Sequence, residues 1–212
     1  MTPAKRLSDI LLALALCLLL AVPFGLLMVW LLLRQGRPVF YVSERMRSPT
    51  RGFSLWKLRT MTPNQSGSIG ATGGDKSSRI TPIGHFLRQS RLDEIPQLWN
   101  VLRGDMSFVG PRPPLREFVE RFPSVYAQVL KSRPGITGLA TLTYHRHEAN
   151  LLAHSASRDE TDAIYVRRCI PRKAQIDLIY QRNRSICMDF SLMLQTLNHA
   201  LVKRRQRRAA RT

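Results

Sequence analysis

The longest apolar stretch of the sequence lies near its N-terminus. Between Ile10 and Leu33 there are 24 consecutive residues without a charge. At about 1.5 Å per residue, a helix of this length crosses the roughly 30 Å hydrocarbon core of a bilayer. A cleaved signal peptide is disfavoured because the stretch is too long and has no small-x-small cleavage site before the basic residues that follow. The pattern therefore predicts a membrane helix that the mature protein retains.

Charge and a central proline indicate how this helix meets the membrane. Lys5 and Arg6 precede the apolar stretch and Arg34 follows it, so the positive-inside rule places both ends on the cytoplasmic side. Pro23 removes one helical hydrogen bond in the middle of the stretch and predicts a sharp kink. We therefore expect residues 1–36 to form a re-entrant, kinked helical hairpin in the membrane. A simple kinked span is the alternative, because prolines are tolerated in spanning helices.

Shorter apolar and polar stretches predict a small cytoplasmic α+β domain, mainly helical, over residues 37–212. β-branched and aromatic residues around Pro49 and Gly52 predict a short β-hairpin within residues 38–61. The Gly/Ser-rich segment 62–79 predicts either an exposed connection or a mobile lid over a site. After it, the segment 114–138 predicts a helix that is interrupted near Pro123 and ended by Pro134 and Gly135.

The C-terminal segment has the periodicity of an amphipathic helix. Its apolar residues recur on one helical face: Phe190, Met193, Leu194, Leu197 and Leu201. Six basic residues follow between positions 203 and 211, and they favour either contact with an anionic membrane surface or a solvated tail. Both readings of this basic tail stay open, and the amphipathic helix is expected to lie at the membrane interface.

Composition narrows the class of partner. The 212 residues include 33 Lys and Arg against 14 Asp and Glu, which gives a net charge of +19 and favours an anionic partner such as nucleic acid, acidic lipid or a phosphorylated substrate. Nucleic acid is disfavoured, since the sequence has no recognisable reading helix, aromatic RNA-binding motif or heptad repeat. The three cysteines are widely spaced, form no CxxC pair and indicate a reducing compartment.

Two adjacent carboxylates, Asp93 and Glu94, stand out in the basic segment 88–114. Pro96 favours a helix that begins there and ends at Gly104, which places both acids just before the helix, near the positive end of its dipole. The alternative is a helix capped by Ser90, with both acids in its first turn. Nearby Arg and Lys residues are expected to keep the carboxylates ionised and are suited to phosphate oxygens.

An adjacent acid pair is ordinarily a helix-start signal at a protein surface, but a membrane context favours chemistry as well. An ionised Asp can attack phosphorus to form an acyl phosphate, and a second acid with a divalent ion can neutralise a diphosphate. A zinc site is not expected elsewhere: Leu151 stands where an HExxH motif needs its second His, so His145, His147 and His154 are predicted to be ordinary polar groups of a loop.

These residues resemble the bacterial sugar transferases, and in particular the monotopic polyprenyl-phosphate phosphoglycosyl transferases, which begin lipid-linked glycan assembly. The resemblance covers nearly the whole chain and is most specific over residues 79–114. The other matching segments are KRLSDILLALAL, GRPVFYVSERMR, WKLRTM, RPGITG and IDLIYQRNRSICMDFSLMLQTL. The chain is most similar to the short form of the family, a catalytic core for which no extra domain is expected.

The resemblance implies a ping-pong reaction at the cytoplasmic face of the bacterial inner membrane. Asp93 would attack the sugar-bearing phosphate of a UDP-sugar and release UMP, and polyprenyl (undecaprenyl) phosphate would then take the phosphosugar from the enzyme. Glu94 completes the catalytic dyad, and Mg²⁺ is the implied cofactor, with both acids as its candidate ligands. The resemblance further implies six substrate-binding residues: Lys57, Arg59, Arg88, Gly110, Pro111 and Arg112.

The partners implied are a UDP-sugar, polyprenyl phosphate and anionic lipid of the inner membrane, while a homodimer is left open. The chain departs from the usual family pattern at Ser43, at Arg47 and over residues 139–148, and residues 155–173 match it loosely. These departures leave the identity of the sugar open. Two other functions are carried as alternatives: an inactive member of the fold that acts as an assembly partner, and a basic membrane-anchored binding module.

Overall fold

A computed structural model describes residues 1–62, 79–153, 155 and 157–209. Most of these residues are helical, and small sheets accompany the helices. The Gly/Ser-rich segment predicted as a connection or lid lies almost entirely outside the described residues. In chain order the helices and strands are α1 Pro3–Gln35, β1 Phe40–Met46, β2 Gly52–Leu58, α2 Pro82–Ser90, a 3₁₀ turn Leu92–Glu94, α3 Gln97–Arg103, β3 Ser107–Val109, α4 Arg116–Arg121, α5 Pro123–Val129, β4 Gly135–Thr137, α6 Leu139–Ala153, α7 Arg158–Ile164, a π-helical turn Tyr165–Cys169, α8 Ile170–Asn183 and α9 Ile186–Ala209.

The apolar N-terminal stretch forms the long helix α1. Thr2 caps its start by accepting a hydrogen bond from the Lys5 amide, and the Gly36 amide closes its end on the Leu32 carbonyl. The helix continues through Pro23 without interruption. The break predicted at Pro23 is therefore not confirmed, and the re-entrant path stays a prediction.

Most of α1 is exposed in the isolated chain. It is long and apolar enough to cross a membrane: its most apolar 18-residue window has a mean hydropathy of 2.9, and 6% of that window is buried against the rest of the protein. Ala13 packs into the main core, and Leu31 packs with Leu58 and Leu87. A large exposed apolar surface marks contact with a membrane or with another protein, and the length and hydropathy of α1 favour the membrane.

The predicted β-hairpin is confirmed. Strands β1 and β2 pair antiparallel, with Phe40 opposite Leu58 and Met46 opposite Gly52. Strands β3 and β4 pair parallel. Next to this pair, the backbone at Gly110 approaches the backbone at Arg133 closely. Glycine is required there because a Cβ on Gly110 would lie 2.1 Å from the carbonyl oxygen of Arg133.

The main core lies where β2, α1, α3 and β3 meet, and it includes Leu55, Ala13, Val101 and Phe108. The asparagine Asn100 fastens α3 to β2, since its side chain donates to the Ser54 carbonyl at 2.8 Å and accepts from the Trp56 amide at 3.2 Å. These contacts bring the segment before α3, which carries the acid pair, alongside the end of β2.

The remaining helices agree in part with the sequence pattern. The helix predicted within the segment 114–138 is interrupted at Pro123, as expected, and becomes α4 and α5, but α5 ends at Val129, before the predicted stop at Pro134. On α9, Leu194 is 60% exposed and Leu197 is 61% exposed, whereas Met193 of the same predicted face packs against the main core, so the apolar face is only partly uncovered over its described residues. Its location at a membrane interface stays a prediction.

Candidate active site

A left-handed residue between two helices positions the acid pair. Helix α2 ends at Ser90, whose hydroxyl donates to the Phe86 carbonyl at 2.8 Å. Arg91 then adopts φ 57° and ψ 18°, which turns the chain sharply into the 3₁₀ turn that holds Asp93 and Glu94. Ser90 is therefore not a helix N-cap, and that alternative is wrong.

The predicted helix after the acids is confirmed. Helix α3 follows Pro96 directly and ends at Gly104, which has the positive φ of 82° typical of a helix C-terminus. Asp93 and Glu94 lie in the separate 3₁₀ turn that precedes α3, so their backbone is close to the start of that helix. The sequence was sufficient to predict both ends of α3, because proline and glycine act on the local backbone and need no tertiary contact.

Glu94 is held by two cations. Its Oε1 lies 3.3 Å from Lys57 Nζ, at the end of β2, and its Oε2 pairs with the Arg91 guanidinium. Burial acts to raise the pKa of the Glu94 carboxyl, but the charges of Lys57, Arg91 and Arg112 together hold that pKa below its usual value. Glu94 is therefore an ionised, fully engaged carboxylate.

Asp93 has a different environment from its neighbour. It is 7% exposed, and within the described part of the chain no hydrogen bond or ion pair engages its carboxylate oxygens. Burial, together with the negative charge of Glu94, raises the pKa of Asp93, and nearby Lys57 and Arg88 offset this only in part. Nearby cations thus act in favour of the ionised form of both acids, as expected, but at Asp93 burial and the Glu94 charge outweigh them and the net pKa shift is upward.

The charge of Arg88 acts on Asp93 and the charge of Arg112 acts on Glu94. The Arg88 Nε donates to the Thr60 hydroxyl at 2.8 Å, and the Arg88 charge acts on the pKa of Asp93. Arg112 is exposed, and its charge acts on the pKa values of Lys57 and Glu94. Both arginines therefore lie close enough to the acids to face an anion bound there.

Three other residues predicted to bind substrate have structural contacts. The Gly110 amide donates to the Thr137 carbonyl at 2.9 Å, and Pro111 is fully buried, so both fix the backbone that precedes Arg112. Arg59 donates to the carbonyl oxygens of Gln35 and Gly36 and so caps the end of α1. The structure therefore brings the charges of Lys57, Arg88 and Arg112 close to the acids. Gly110, Pro111 and Arg59 instead fix the backbone nearby.

Arg91 is the site residue that the sequence prediction missed. Its guanidinium pairs with Glu94 and also approaches the Ile136 carbonyl at 3.3 Å, which links the acid turn to β4. A spacing of three residues between Arg91 and Glu94 is a known signal for contact within a helical turn. The left-handed backbone at Arg91 has no such signal in the sequence, because arginine rarely adopts it.

The carboxylate oxygens of the acid pair are of the type that binds Mg²⁺. Mg²⁺ is commonly held by one or two carboxylates together with the phosphates of a substrate, and the buried Asp93 has carboxylate oxygens that no described residue engages. Within the described residues no group of three or more His, Cys, Asp or Glu side chains could hold a metal by itself. His145 and His147 lie in α6, so their predicted placement in a loop is wrong.

Comparison with known proteins finds relatives of this chain among bacterial sugar transferases. The chain is 38% identical over 169 residues to the UDP-glucose:undecaprenyl-phosphate glucose-1-phosphate transferase of Klebsiella pneumoniae, covering 77% of this chain and 36% of the relative. It is 33% identical over 171 residues to the UDP-N-acetylgalactosamine-undecaprenyl-phosphate N-acetylgalactosaminephosphotransferase of Aeromonas hydrophila, with the same two coverages. The chain thus spans about a third of the length of these two relatives.

A relative of similar length also matches. The chain is 31% identical over 198 residues to the uncharacterized sugar transferase EpsL of Bacillus subtilis, covering 93% of this chain and 87% of the relative. The sequence model of one family, described as bacterial sugar transferase, matches residues 1–203 and so includes α1, the acid pair and most of α9. The chain therefore belongs to the bacterial sugar transferase family.

Proposed function

We propose that this protein transfers a sugar phosphate from a UDP-sugar to undecaprenyl phosphate at a membrane. The observation that carries the proposal is Asp93, a buried carboxylate that has no hydrogen-bond or ion-pair partner among the described residues and whose pKa the charges of Lys57, Arg88 and Arg91 act to lower. Buried charges are ordinarily paired, so an unpaired one beside several cations is expected to have a chemical role. The names of the two longer relatives describe transfers from UDP-sugars to undecaprenyl phosphate.

The proposed reaction has two displacements at phosphorus. In the first, a carboxylate oxygen of Asp93 bonds to the sugar-bearing phosphorus, the bond from that phosphorus to the bridging oxygen breaks, and UMP leaves with the electron pair. In the second, a phosphate oxygen of undecaprenyl phosphate bonds to the same phosphorus and the Asp93 carboxylate is released. The lipid then carries a diphosphate-linked sugar.

The surrounding residues position and neutralise the phosphates in this proposal. Arg88 and Arg112 would hold phosphate oxygens, while Lys57 and Arg91 are kept in place by their ion pairs with Glu94. Glu94 thus organises two cations beside the nucleophile. When bound, Mg²⁺ would neutralise charge on the diphosphate, and Asp93 is the better of the two predicted ligands because the Glu94 oxygens are already engaged.

The membrane part of the proposal places α1 in the bilayer as a re-entrant element, with the catalytic domain on the cytoplasmic face. Exposed apolar residues on both α1 and α9, among them Leu18 and Leu194, support contact with lipid. A lipid acceptor with a phosphate head group then meets the acid turn at the membrane surface.

Release of UMP tests the reaction. The purified protein in lipid nanodiscs is incubated with Mg²⁺ and a panel of UDP-sugars, with and without undecaprenyl phosphate. We expect one donor to give sustained UMP release that needs the lipid, and a labelled sugar to become bound to the protein when the lipid is omitted. Asp93→Asn should abolish both signals, while Asp159→Asn, at an exposed carboxylate on α7, should leave them unchanged.

Two outcomes would overturn the proposal. Lipid-dependent release that survives Asp93→Asn would exclude this residue as the nucleophile. Absence of release with every donor, from protein that is folded in nanodiscs, would favour an inactive member of the family.

A labelling experiment tests the topology separately. Single cysteines are introduced at positions 2 and 36 in a protein whose three native cysteines have been replaced, and impermeant reagents are applied from each side of sealed vesicles. Accessibility of both positions from the same side supports the re-entrant path, whereas accessibility from opposite sides would show a spanning helix.

A further inference from the structure

The hairpin of β1 and β2 has two outer edges, and the described part of the chain covers them unequally. The outer edge of β2 is covered, because the Asn100 side chain donates to the Ser54 carbonyl and accepts from the Trp56 amide. The outer edge of β1 has a contact of this kind, among the described residues, only where the Met46 amide donates to the Pro114 carbonyl at 3.0 Å. The rest of β1 is therefore an open strand edge.

The register of the hairpin shows which backbone groups face this open edge. The Arg59 amide donates to the Val39 carbonyl at 2.8 Å, and the Arg47 amide donates to the Arg51 carbonyl at 2.8 Å. In an antiparallel pair, residues that bond to the neighbouring strand alternate with residues that do not. The register between these two points is continuous. The odd-numbered residues of β1 therefore bond to β2, and the even-numbered residues present their N–H and C=O groups outward.

Three residues form the open edge: Phe40, Val42 and Glu44. Among residues 1–62, 79–153, 155 and 157–209, no hydrogen bond reaches their outward backbone groups. Phe40 is 37% exposed and Val42 is 44% exposed, and Tyr41 between them is 51% exposed on the opposite face of the hairpin. An exposed edge strand with apolar side chains is a template for pairing with another strand.

The open edge is closed at both ends. The next outward position before Phe40 is Pro38, which has no amide hydrogen to donate. The next outward position after Glu44 is Met46, whose amide is already bonded to the segment before α4. The segment available for pairing is therefore residues 40–44, and its centre is Val42.

A second copy of β1 fits this segment about a two-fold axis at Val42. With the strands antiparallel, Val42 of one copy lies opposite Val42 of the other, and Phe40 lies opposite Glu44. Every outward residue then has a partner, and each opposing pair exchanges two hydrogen bonds. A shift of two residues in either direction would place an outward residue opposite Pro38 or Met46, which cannot donate. The centred register is thus the one that pairs all the outward groups.

The side chains are compatible with the same register. Glu44 is the charged residue of the segment, and it lies opposite Phe40, so like charges do not face each other. The Glu44 carboxylate is already paired with Arg116 of its own chain at 2.6 Å. The two Val42 side chains form an apolar centre beside Phe40, whose ring packs edge-on against Trp56 with centroids 5.8 Å apart. Aromatic and β-branched pairs across strands stabilise an antiparallel sheet.

We propose that the open edge of β1 is a homodimer interface, in which β1 of two copies pairs antiparallel about Val42 and the two hairpins form one four-stranded sheet. Such pairing is isologous, so it closes at two copies. The outer edges of the new sheet are those of β2, which Asn100 covers. A two-stranded hairpin is marginally stable by itself, whereas about four strands is a common sheet size. The interface does not depend on the reaction proposed above.

Disulfide trapping tests the register. The full chain, with its three native cysteines replaced, carries one new cysteine and is oxidised in lipid vesicles. Val42→Cys should give a covalent dimer, because the Cα atoms of such a pair are about 5.5 Å apart, within the range of a disulfide. Phe40→Cys is the matched control and should give none, because its two copies lie about 14 Å apart along the strands. A mixture of Phe40→Cys and Glu44→Cys proteins should again cross-link.

Sedimentation equilibrium in density-matched detergent measures the strength of the dimer. Val42→Pro removes an N–H that β2 does not use, so the hairpin is retained and the dissociation constant of the dimer should rise by at least about tenfold. Val42→Thr keeps both the N–H and the β-branched shape, so it is the matched control and should stay within about twofold of the wild type.

Four results would overturn the interface. The first is a wild type that stays monomeric in detergent and a Val42→Cys protein that forms no disulfide in vesicles. The second is a folded Val42→Pro protein with an unchanged dissociation constant, and disulfide trapping decides the matter if that variant does not fold. The third is cross-linking of Phe40→Cys as efficient as that of Val42→Cys. The fourth is a thiol at position 42 that forms no disulfide and is protected from a water-soluble maleimide, which would assign this edge to lipid.

Discussion

This protein has two buried clusters of charged residues that are similar in composition and differ in role. The anchor cluster consists of Lys5, Tyr180 and Asp189, and the acid cluster consists of Asp93 and Glu94 with their cations. In the anchor cluster, the Asp189 oxygens are both engaged, one by the Lys5 ammonium and the other by the Tyr180 hydroxyl at 2.6 Å. In the acid cluster, the buried Asp93 has no hydrogen-bond or ion-pair partner within the part of the chain that the structure describes.

The difference shows how to separate a structural charge from a reactive one. The anchor cluster joins α1, α8 and α9, and Tyr180 also approaches the Val109 carbonyl at 3.2 Å, so it fastens distant parts of the chain to one another. Burial, followed by the hydrogen bond to Asp189, raises the pKa of Tyr180 and keeps its hydroxyl a donor. In the acid cluster, both oxygens of Glu94 are paired with cations. No described residue pairs with Asp93, so its carboxylate is available to a substrate.

The largest expected effect is on activity, from Asp93→Asn. The change removes the nucleophile, and we expect the transfer rate to fall by at least about 10³-fold in the UMP-release assay. The free energy of unfolding, in contrast, should increase near neutral pH. Because the pKa of Asp93 is raised in the folded protein, the ionised form disfavours folding above the unfolded pKa of this carboxyl.

Denaturation at two pH values checks the stability part of this prediction. Asp93→Asn should be more resistant to denaturant than the wild type near neutral pH, and the gain should disappear at a pH below the unfolded pKa, where the wild-type carboxyl is protonated in both states. A loss of stability at neutral pH would instead show that Asp93 is a structural charge, like Asp189.

The second effect is on folding, from Asp189→Leu. The change leaves the buried Lys5 ammonium without its carboxylate, and loss of one partner from a buried pair costs about 3–5 kcal/mol. We expect the midpoint of denaturant unfolding in nanodiscs to fall, and activity measured below that midpoint to be retained in the folded fraction. Wild-type stability in this variant would contradict the structural role of the anchor cluster.

The third effect concerns pH, from Glu94→Gln. The negative charge of Glu94 contributes to the raised pKa of Asp93, after burial, so its removal should shift the acid side of the pH–rate profile to lower pH. The Glu94 pKa is itself lowered, so the wild type gains stability above the unfolded pKa of Glu94 and loses it as the pH falls through the folded pKa. This gain should be missing in the variant, and an unshifted rate profile would disconnect the two acids.

The smallest effect is expected from Asp162→Asn. This carboxylate pairs with Arg121 at 2.8 Å on the surface, where both side chains are substantially exposed. Exposed pairs contribute roughly 0–1 kcal/mol, so denaturation and UMP release should both stay close to the wild type. A cost comparable to that of Asp189→Leu would show that burial does not separate the two classes of ion pair.

The sequence by itself determined the parts that depend on local patterns. Hydropathy located α1, the turn residues located the hairpin of β1 and β2, and Pro96 and Gly104 marked the ends of α3, because each signal acts within a few residues. The acid pair could also be singled out, since two carboxylates in a strongly basic chain stand out in composition. The chemical role assigned to them came from the resemblance to a family.

Only the tertiary structure decided how the two acids differ. Lys57 and Glu94 are 37 residues apart, and their contact depends on how β2 packs against the turn before α3. The left-handed Arg91 pairs with Glu94, and no other residue in the described ranges engages Asp93. Burial and charge at a carboxylate are sums over groups from distant segments, so two neighbouring acids with equivalent sequence surroundings acquire opposite pKa shifts only when the chain is folded.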